Sequence, residues 1–429
     1  MQQRSFAGGG RVRRFAVRRF APLFLIVVLV VVFALTAFAL TRSADPFAAG
    51  AVVDPPFPSL TYGIQAFLWW DENIASVHLA WVRMMSFSHV KQIFAWEDLE
   101  PEPGLWSFVA SDRIVDQAES YGLHLVVRLS DAPDWSHPSV PGRRREDFID
   151  APPDAQYMDA WANYCGTVAA RYRGRISAYQ IWNEPNLSRE WGNREPNAAE
   201  FVELLRRCSA AIRAADPAAI LISAGLATTG NQDVTAHRDD IFLQEMYDAG
   251  FQQYIDVVGA HAPGYRAPEY GPDDAERDGF GRWSTFRRIE DLRKIMVRNG
   301  DAARQMAILE LGWTTDQRED SQYRWFAVDE AQQADYLVRA YQYAAAHWRP
   351  WVGLMSTIYI ADPAWTPDDE EYWWAVTATG IDWSPPGITR PAYLALASMP
   401  KYCGDQVIAA RDGDYLLPND VLQIPVCAG

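Results

Sequence analysis

The chain has 429 residues, of which 49% are hydrophobic and 22% are charged, and its formal net charge is −16. This much apolar sequence excludes an intrinsically disordered protein and is enough for one large domain or two ordinary ones. The strongly acidic balance also argues against a nucleic acid or an anionic lipid as the ligand.

The N-terminal segment differs in charge from the rest of the chain. Residues 1–44 contain seven arginines and no acidic residue, so residues 45–429 carry a formal charge of −23 against −16 for the whole chain. Residues 21–40 are uncharged and almost wholly apolar, which is about the length of helix that crosses a bilayer. We therefore predict a basic cytoplasmic tail (1–20), a transmembrane signal anchor (21–41) and an extracellular remainder, on a single-pass protein of the cell membrane.

A cleaved signal peptide is the alternative for this segment, because Ala37, Phe38 and Ala39 offer a plausible cleavage site. The apolar stretch exceeds the usual core of a signal peptide, which favours the uncleaved anchor. Residues 42–58 are rich in Ala, Gly and Pro and are predicted to be a linker. It leads to a domain at 59–402 and a C-terminal extension at 403–429.

Beyond the linker, short apolar runs alternate with longer segments of helical periodicity. The predicted strands are 60–67, 89–96, 123–129, 176–183, 219–225, 255–261, 305–311 and 352–360. The predicted helices are 71–84, 108–121, 157–173, 198–215, 239–249, 284–299, 329–347 and 390–399. Apolar strands that alternate with helices in this way are typical of a parallel sheet buried on both faces.

This pattern predicts an α/β fold, most economically a closed (β/α)8 TIM barrel, with a doubly wound open sheet as the alternative. No glycine-rich phosphate loop follows the first strand, which disfavours a nucleotide-binding version. The long irregular segments 130–155, 262–283 and 361–389 all follow strands. In a barrel these loops gather at one mouth, where the active site lies.

Two carboxylates are predicted to face this mouth. Glu184 ends the fourth strand in AYQIWNEPN, and Glu310 lies near the end of the seventh in MAILELGWTT. Each one alone could be the structural partner of an arginine, because an unpaired carboxylate is costly to bury. Together they are what cleavage of a glycosidic bond requires: one protonates the departing oxygen, and the other attacks the anomeric carbon or activates water.

Four stretches carry a resemblance to a known family: RYRGRISAYQIWNEPNLSREW (171–191), ILELGW (308–313), FAWEDLEPEPGLWSF (94–108) and RPAYLAL (390–396). With the order of elements over roughly 59–400, they resemble glycoside hydrolase clan A, the retaining (β/α)8-barrel β-glycosidases of cellulase-like and β-xylosidase-like type. The resemblance implies that Glu184 is the acid/base and Glu310 the nucleophile. It also implies that Asn183 hydrogen-bonds the sugar 2-hydroxyl.

The implied mechanism carries an electrostatic expectation. Two carboxyls about 5 to 5.5 Å apart repel, so ionised Glu310 is expected to raise the pKa of Glu184 and keep it protonated. Arg128, at the end of the third strand, is a candidate to orient either glutamate, with a structural ion pair as the alternative. His261 ends the sixth strand and is a candidate contact for the nucleophile or the sugar, with a purely structural histidine as the alternative.

Aromatic residues in strand-end loops are candidates for sugar binding, because pyranose rings stack their CH faces on aromatic planes. Most of the 18 tryptophans are expected in the core. The stacking candidates are Tyr265, Trp96, Trp135, Trp313 and Trp365. Acidic runs at 272–277 and 367–374 disfavour acidic polysaccharides, so the expected partner is a neutral β-linked oligo- or polysaccharide.

The remaining signals concern cysteines and cofactors. Four cysteines in an exported chain predict the pairs Cys165–Cys208 and Cys403–Cys427, with two or more free thiols as the alternative. No paired histidine spacing and no acidic calcium loop occur, so no required metal or cofactor is predicted. The sequence therefore predicts a retaining glycoside hydrolase, with a transglycosylase or a non-catalytic glycan-binding barrel as alternatives.

Overall fold

The computed structural model describes residues 45–140, 150–379, 390–411 and 421–427. The predicted cytoplasmic tail (1–20) and transmembrane anchor (21–41) lie outside these ranges. Within them, no helix is both long and apolar enough to cross a membrane.

Parallel strands close into a barrel in chain order. The strands are β1 (Thr61–Gln65), β2 (His89–Ala95), β3 (His124–Ser130), β4 (Ala178–Ile181), β5 (Ile220–Ser223), β6 (Val257–Pro263), β7 (Gln305–Gly312) and β8 (Val352–Thr357). The predicted TIM barrel is confirmed. The doubly wound alternative is wrong, because β8 pairs in parallel with β1 and this sheet has no open edge.

Within the described ranges, an α-helix forms at each predicted place, and three further short α-helices lie in segments where none was predicted. The helices are α1 (Glu72–Met84), α2 (Trp96–Leu99), α3 (Val109–Ser120), α4 (Met158–Arg171), α5 (Ala198–Ala215), α6 (Asp239–Asp248), α7 (Pro272–Arg277), α8 (Ile289–Arg298), α9 (Glu330–His347), α10 (Glu370–Trp374) and α11 (Pro391–Ser398). Polar N-caps begin several of them: Asp71 accepts from two N–H groups of α1, and Asp329 forms a capping box with Gln332. These caps explain why the helix starts follow the sequence signals closely.

Apolar side chains fill the barrel interior below the mouth. This layer consists of Phe57, Val126, Ala178, Ile222, Val257, Ala307, Leu309 and Leu354. Phe57 comes from the predicted linker, and the side-chain amide of Gln305 bonds both its N–H and its C=O at 3.0 Å. The barrel is therefore a packed core at this level, and polar chemistry is left to the strands' carboxyl ends.

Two disulfides join elements outside the barrel strands. Cys165 on α4 bonds Cys208 on α5, and Cys403 bonds Cys427. Cys403 ends β9 (Lys401–Cys403), which pairs antiparallel with β10 (Gln406–Ile408). Both predicted pairs are confirmed, and the free-thiol alternative is wrong, since all four cysteines are bonded.

Candidate active site

Glu184 lies in a sharp turn directly after β4. Trp182 (φ 68°) and Glu184 (φ 35°) both have positive φ, a region that residues other than glycine seldom adopt. Such a backbone costs on the order of 1–3 kcal/mol per residue and persists where its surroundings hold it. Here the Trp182 side chain is fully buried, and the Glu184 N–H donates to the carbonyl of Gly225 at 3.1 Å. The turn thus fixes the position of the Glu184 carboxylate.

A β-bulge positions Glu310. Ala260 of β6 pairs with Ile308 of β7, but His261 pairs with Glu310, so Leu309 is the extra residue in β7. A bulge re-aims the side chain that follows it. Glu310 therefore lies beside His261 rather than one residue away from it.

The predicted glutamates and His261 meet at the barrel mouth. One carboxylate oxygen of Glu184, one of Glu310 and a ring nitrogen of His261 lie within 4.8 Å of one another. His261 Nδ1 is 2.9 Å from Glu184 Oε1 and 3.6 Å from Glu310 Oε2. Gly225 gives the imidazole its space, since a Cβ there would lie 2.1 Å from His261 Cδ2. This glutamate separation is close to that of retaining glycosidases.

Lys91 of β2 is the main partner of Glu310. Its Nζ donates to Glu310 Oε1 at 3.0 Å and to the carbonyl of Leu309 at 3.2 Å, and its side chain is 1% exposed. Burial raises the pKa of Glu310, but the charges of His261 and Lys91 outweigh burial and lower that pKa below its usual value. Glu310 is therefore held ionised, as a nucleophile must be.

Glu184 differs from the sequence expectation in its protonation. Burial raises its pKa, but the hydrogen bond from His261 and the charge of Arg189 outweigh burial and lower the pKa to about 2. Arg189 Nη2 donates to Glu184 Oε2 at 2.8 Å. The expectation that Glu310 keeps Glu184 protonated is wrong for this arrangement, because two donors near Glu184 act more strongly than one like charge.

Asn183 lies next to a second acidic residue. Its Nδ2 donates to Glu190 Oε1 at 3.4 Å, and its side chain is largely buried. Burial is the largest cause that raises the pKa of Glu190, the charge of Glu184 adds to it, and the value reaches about 8. Glu190 is therefore mostly protonated at neutral pH, beside the amide that the resemblance assigns to the sugar.

Arg128 bonds its own strand end rather than either glutamate. Its Nε donates to Ser130 Oγ at 2.9 Å, and its Nη2 lies 3.4 Å from Asp131 Oδ2. It influences Glu310 through its charge, which helps to lower the pKa of that carboxyl. The structure thus favours the structural ion pair over direct orientation by a hydrogen bond.

Two of the predicted sugar-stacking tryptophans belong to the core. Trp96 is fully buried, bonds Glu100 through Nε1 at 2.8 Å and stacks on Tyr164. Trp313 is also fully buried, and its ring packs against Gly264, where a Cβ would lie 1.8 Å from it. These two predictions are corrected: neither ring has a free face for a sugar.

The other aromatic candidates are partly exposed. Trp135 contacts Trp96 edge-on and donates to the carbonyl of Glu100 at 3.2 Å. Trp365 makes edge contacts with Phe67 and Tyr359. Tyr265 bonds Thr228 at 3.0 Å and stacks on the exposed Trp325. These side chains retain accessible surface, so they remain candidates for contact with a glycan.

Sequence reasoning missed three charged residues of the site: Lys91, Arg189 and Glu190. Lys91 is a charged residue in the middle of β2 (HVKQIFA), a strand predicted to be buried, which is a signal for a buried ion pair. Arg189 and Glu190 follow the Asn-Glu-Pro run in a one-turn 3₁₀ helix (Ser188–Glu190). Charged residues this close in sequence to a candidate catalytic residue indicate that they belong to the site, but the sequence does not show which groups they pair with.

The Glu184, His261 and Glu310 cluster has donor types that also suit a divalent cation. Lys91 and Arg189 already bond its two carboxylates and neutralise them. The donor set therefore fits an acid–base site with fixed protein cations at least as well as a metal site. Its two carboxylates and one imidazole can hold and transfer protons without a metal.

Part of the chain is similar to a known family of glycoside hydrolases. The model of glycoside hydrolase family 42, described as beta-galactosidase, matches residues 66–207. This range runs from the end of β1 into α5 and contains Glu184, but it stops before the strand of Glu310. It covers about a third of the chain.

Solved structures with the same fold are also glycoside hydrolases. A family 39 glycoside hydrolase from Bacteroides cellulosilyticus WH2 has a TM-score of 0.58 at 20% identity over 81% of this chain, which spans 64% of that protein's length. Xylanase 10B from Thermotoga maritima has a TM-score of 0.50 at 15% identity, and the match covers 82% of this chain and 96% of the xylanase. An endo-beta-1,4-mannanase from Thermotoga petrophila has a TM-score of 0.52 at 12% identity, and the match covers 80% of this chain and 76% of the mannanase.

At these identities the structural likeness establishes the barrel fold, and the family model adds the enzyme class. The prediction of an enzyme of the glycoside hydrolase type agrees with this family model, which matches about a third of the chain. The predicted resemblance of this chain to the clan A glycoside hydrolases is confirmed.

Proposed function

We propose that the protein is a retaining β-glycosidase that uses Glu310 as nucleophile and Glu184 as acid/base. The observation that carries the proposal is the approach of the two carboxylates, whose oxygens lie within 4.8 Å of each other and of a ring nitrogen of His261. Carboxyls this close leave no room for a water between them and the sugar, which favours direct attack over inversion.

The proposed reaction has two steps. In the first, Glu310 Oε attacks the anomeric carbon, the glycosidic C–O bond breaks, and Glu184 gives its proton to the leaving oxygen. In the second, Glu184 takes a proton from water, whose oxygen displaces Glu310 from the sugar. Lys91 and His261 keep Glu310 ionised before attack.

We propose a neutral β-linked substrate. Each cation near the glutamates is already bonded to an acidic group: Lys91 to Glu310, Arg128 to Asp131 and Arg189 to Glu184. An acidic sugar would have to compete for one of these cations. Aryl β-galactosides are the first probes because of the family model, followed by β-mannosides and β-xylosides because of the mannanase and xylanase neighbours.

The test is the pair of variants Glu310→Gln and Glu184→Gln. We expect each to lower kcat/KM by about 10³-fold or more on the methyl glycoside of the preferred sugar, whose leaving oxygen depends on an acid, since each variant removes a reacting group. On an aryl glycoside, azide should restore activity in Glu184→Gln and give a glycosyl azide of β configuration, because azide can replace water in the second step without a base to remove a proton. The matched control is Glu203→Gln on the exposed face of α5.

Two results would contradict the proposal. Wild-type rates in either variant would show that the replaced glutamate takes no part in the reaction. Glycan binding without turnover in the wild type would favour a non-catalytic glycan-binding barrel. A first-formed product of inverted configuration, followed by NMR, would exclude the retaining mechanism. Products formed with and without an added acceptor sugar separate hydrolysis from transglycosylation, since the same residues serve both.

We also propose that residues 21–41 anchor the enzyme in the cell membrane with its barrel outside the cell. The basic residues that precede this segment support that orientation. Two disulfides within the barrel domain and its extension suit an oxidising compartment.

A further inference from the structure

Both oxygens of the Glu184 carboxylate are bonded to the protein. His261 Nδ1 lies 2.9 Å from Oε1, and Arg189 Nη2 donates to Oε2 at 2.8 Å. Both donors stabilise the ionised carboxylate, so Glu184 does not hold a proton for a glycosidic bond while both remain bonded to it. The proposed function needs that proton, so one donor must leave Glu184 before cleavage.

Arg189 is the donor that is free to move. Its side chain is 55% exposed, whereas the His261 side chain is 2% exposed and is packed against Gly225. A second acidic partner is within its reach, because Arg189 Nε lies 3.9 Å from Glu190 Oε1. We propose that Arg189 exchanges between two carboxylates during turnover, pairing with Glu184 before substrate binds and with Glu190 when the cleft is occupied. This inference rests on the proposed function.

The exchange leaves the charge of the three residues unchanged. Before it, Glu184 is ionised and Glu190 is protonated, in accord with pKa values of about 2 and about 8. When Arg189 moves, the O–H bond of Glu190 breaks and its proton passes to water in the cleft. A proton from that water forms the O–H bond of Glu184, which then becomes the acid that the first step requires.

Other charged groups face this trio from around the mouth. They are Lys91 of β2, Arg128 and Asp131 at the end of β3, His261 of β6, Glu310 of β7 and Glu370 of α10. Burial raises the pKa of the neighbouring Tyr265, Tyr323 and Tyr359, so these phenols stay neutral. The charges of Glu184, Glu190 and Glu370 raise the pKa of Arg189, so the guanidinium stays charged wherever it pairs.

The kinetic test compares two glycosides of the sugar that the wild type cleaves best. A 2,4-dinitrophenyl glycoside needs little help from an acid, whereas a methyl glycoside depends on it. In Glu190→Gln the guanidinium has no carboxylate to move to, so we expect the dinitrophenyl-to-methyl ratio of kcat/KM to rise at least tenfold at pH 7. In Arg189→Gln, Glu184 loses a cation, so the alkaline limb of the methyl-glycoside profile should move upward by about one pH unit.

The combined variant decides between exchange and separate structural roles. Without the guanidinium of Arg189, Glu190 has no cation to pair with. The dinitrophenyl-to-methyl ratio of kcat/KM in Arg189→Gln/Glu190→Gln should therefore equal that of Arg189→Gln alone. An unchanged ratio in Glu190→Gln, or losses that multiply in the combined variant, would overturn the exchange. Glu203→Gln is the matched control. If the wild type hydrolyses the dinitrophenyl glycoside and Glu310→Gln does not, the proposed function stands even where the exchange fails.

A substrate-free measurement tests the proton on Glu190. The raised pKa of this carboxyl means that the folded protein binds more protons than the unfolded chain between about pH 4.5 and pH 8. Wild-type stability therefore falls through this window as pH rises, and Glu190→Gln lacks this loss. We expect the Tm of Glu190→Gln relative to wild type to increase steadily from pH 5 to pH 8. A flat difference would mean that Glu190 is ionised throughout and would overturn the proposal.

Discussion

At the scale of single residues, a buried lysine sets the charge of the proposed nucleophile. Lys91 is enclosed by the barrel, and burial lowers its own pKa, while the charge of Glu310 opposes that shift. A buried ion pair of this kind adds little net stability, and removing one partner leaves the other uncompensated. Its value to the enzyme is that Glu310 stays ionised and fixed in position.

Lys91→Met should therefore impair catalysis in a pH-dependent way. Without its cation the pKa of Glu310 rises, and because attack requires the ionised form, the acidic limb of kcat/KM should move to higher pH. Loss of one positioned charge should also lower kcat by about 10²-fold or more. A pH profile on an aryl glycoside measures both effects.

Lys294 of α8 provides the matched control for this variant. It is a surface lysine paired with Asp291 and is 36% exposed, so Lys294→Met should leave the profile unchanged. An acidic limb of Lys91→Met that coincides with that of wild type would show that Lys91 does not determine the ionisation of Glu310.

Some residues of the site could be predicted and others could not, for a physical reason. Glu184, His261 and Glu310 stand at strand ends, and a strand end is readable from where an apolar run stops. Trp96 and Trp313 also stand near strand ends, but whether a ring packs inward depends on neighbours that are distant in sequence, such as Tyr164 and Gly264. The protonation of Glu184 likewise depends on His261, which is 77 residues away in sequence.

At the scale of elements, the apolar runs predicted all eight barrel strands, because strands buried on both faces need continuous apolar sequence. The bulge at Leu309 could not be predicted, since it exists only in the pairing of β6 with β7. The 3₁₀ helix Phe286–Arg288 replaces the predicted first turn of the helix at 284–299. Local pattern thus predicts which element forms, and pairing determines its register.

The disulfide between α4 and α5 is expected to stabilise the elements on either side of β4. It closes a sequence separation of 43 residues, for which the chain-entropy model gives about 4 kcal/mol and measured disulfides about 2–4 kcal/mol. Cys165→Ala/Cys208→Ala should lower the free energy of unfolding by this amount in urea. Wild type treated with a reductant separates the lost crosslink from the cavity that alanine leaves. Equal stability of the oxidised wild type and the variant would contradict the expected contribution.

At the scale of the whole molecule, charge divides the chain into two parts of opposite sign. The first 44 residues are basic and contain the long apolar run, and the remainder is strongly acidic. An acidic catalytic domain is repelled by anionic lipid headgroups. In the proposed anchored enzyme, this repulsion would act against adsorption of the acidic domain to the bilayer.

The anchor can be tested by fractionating cells that export the full chain. We expect the enzyme to sediment with membranes, to resist extraction by carbonate or high salt, and to be released by detergent, because a spanning helix is held by its apolar length. A variant without residues 1–44, directed outside the cell by an unrelated cleavable signal, should appear in the medium with the same kcat/KM. N-terminal sequencing of the mature protein distinguishes the alternatives. A mature chain that begins directly after Ala39 would establish a cleaved signal peptide and end the proposal of a membrane-bound enzyme.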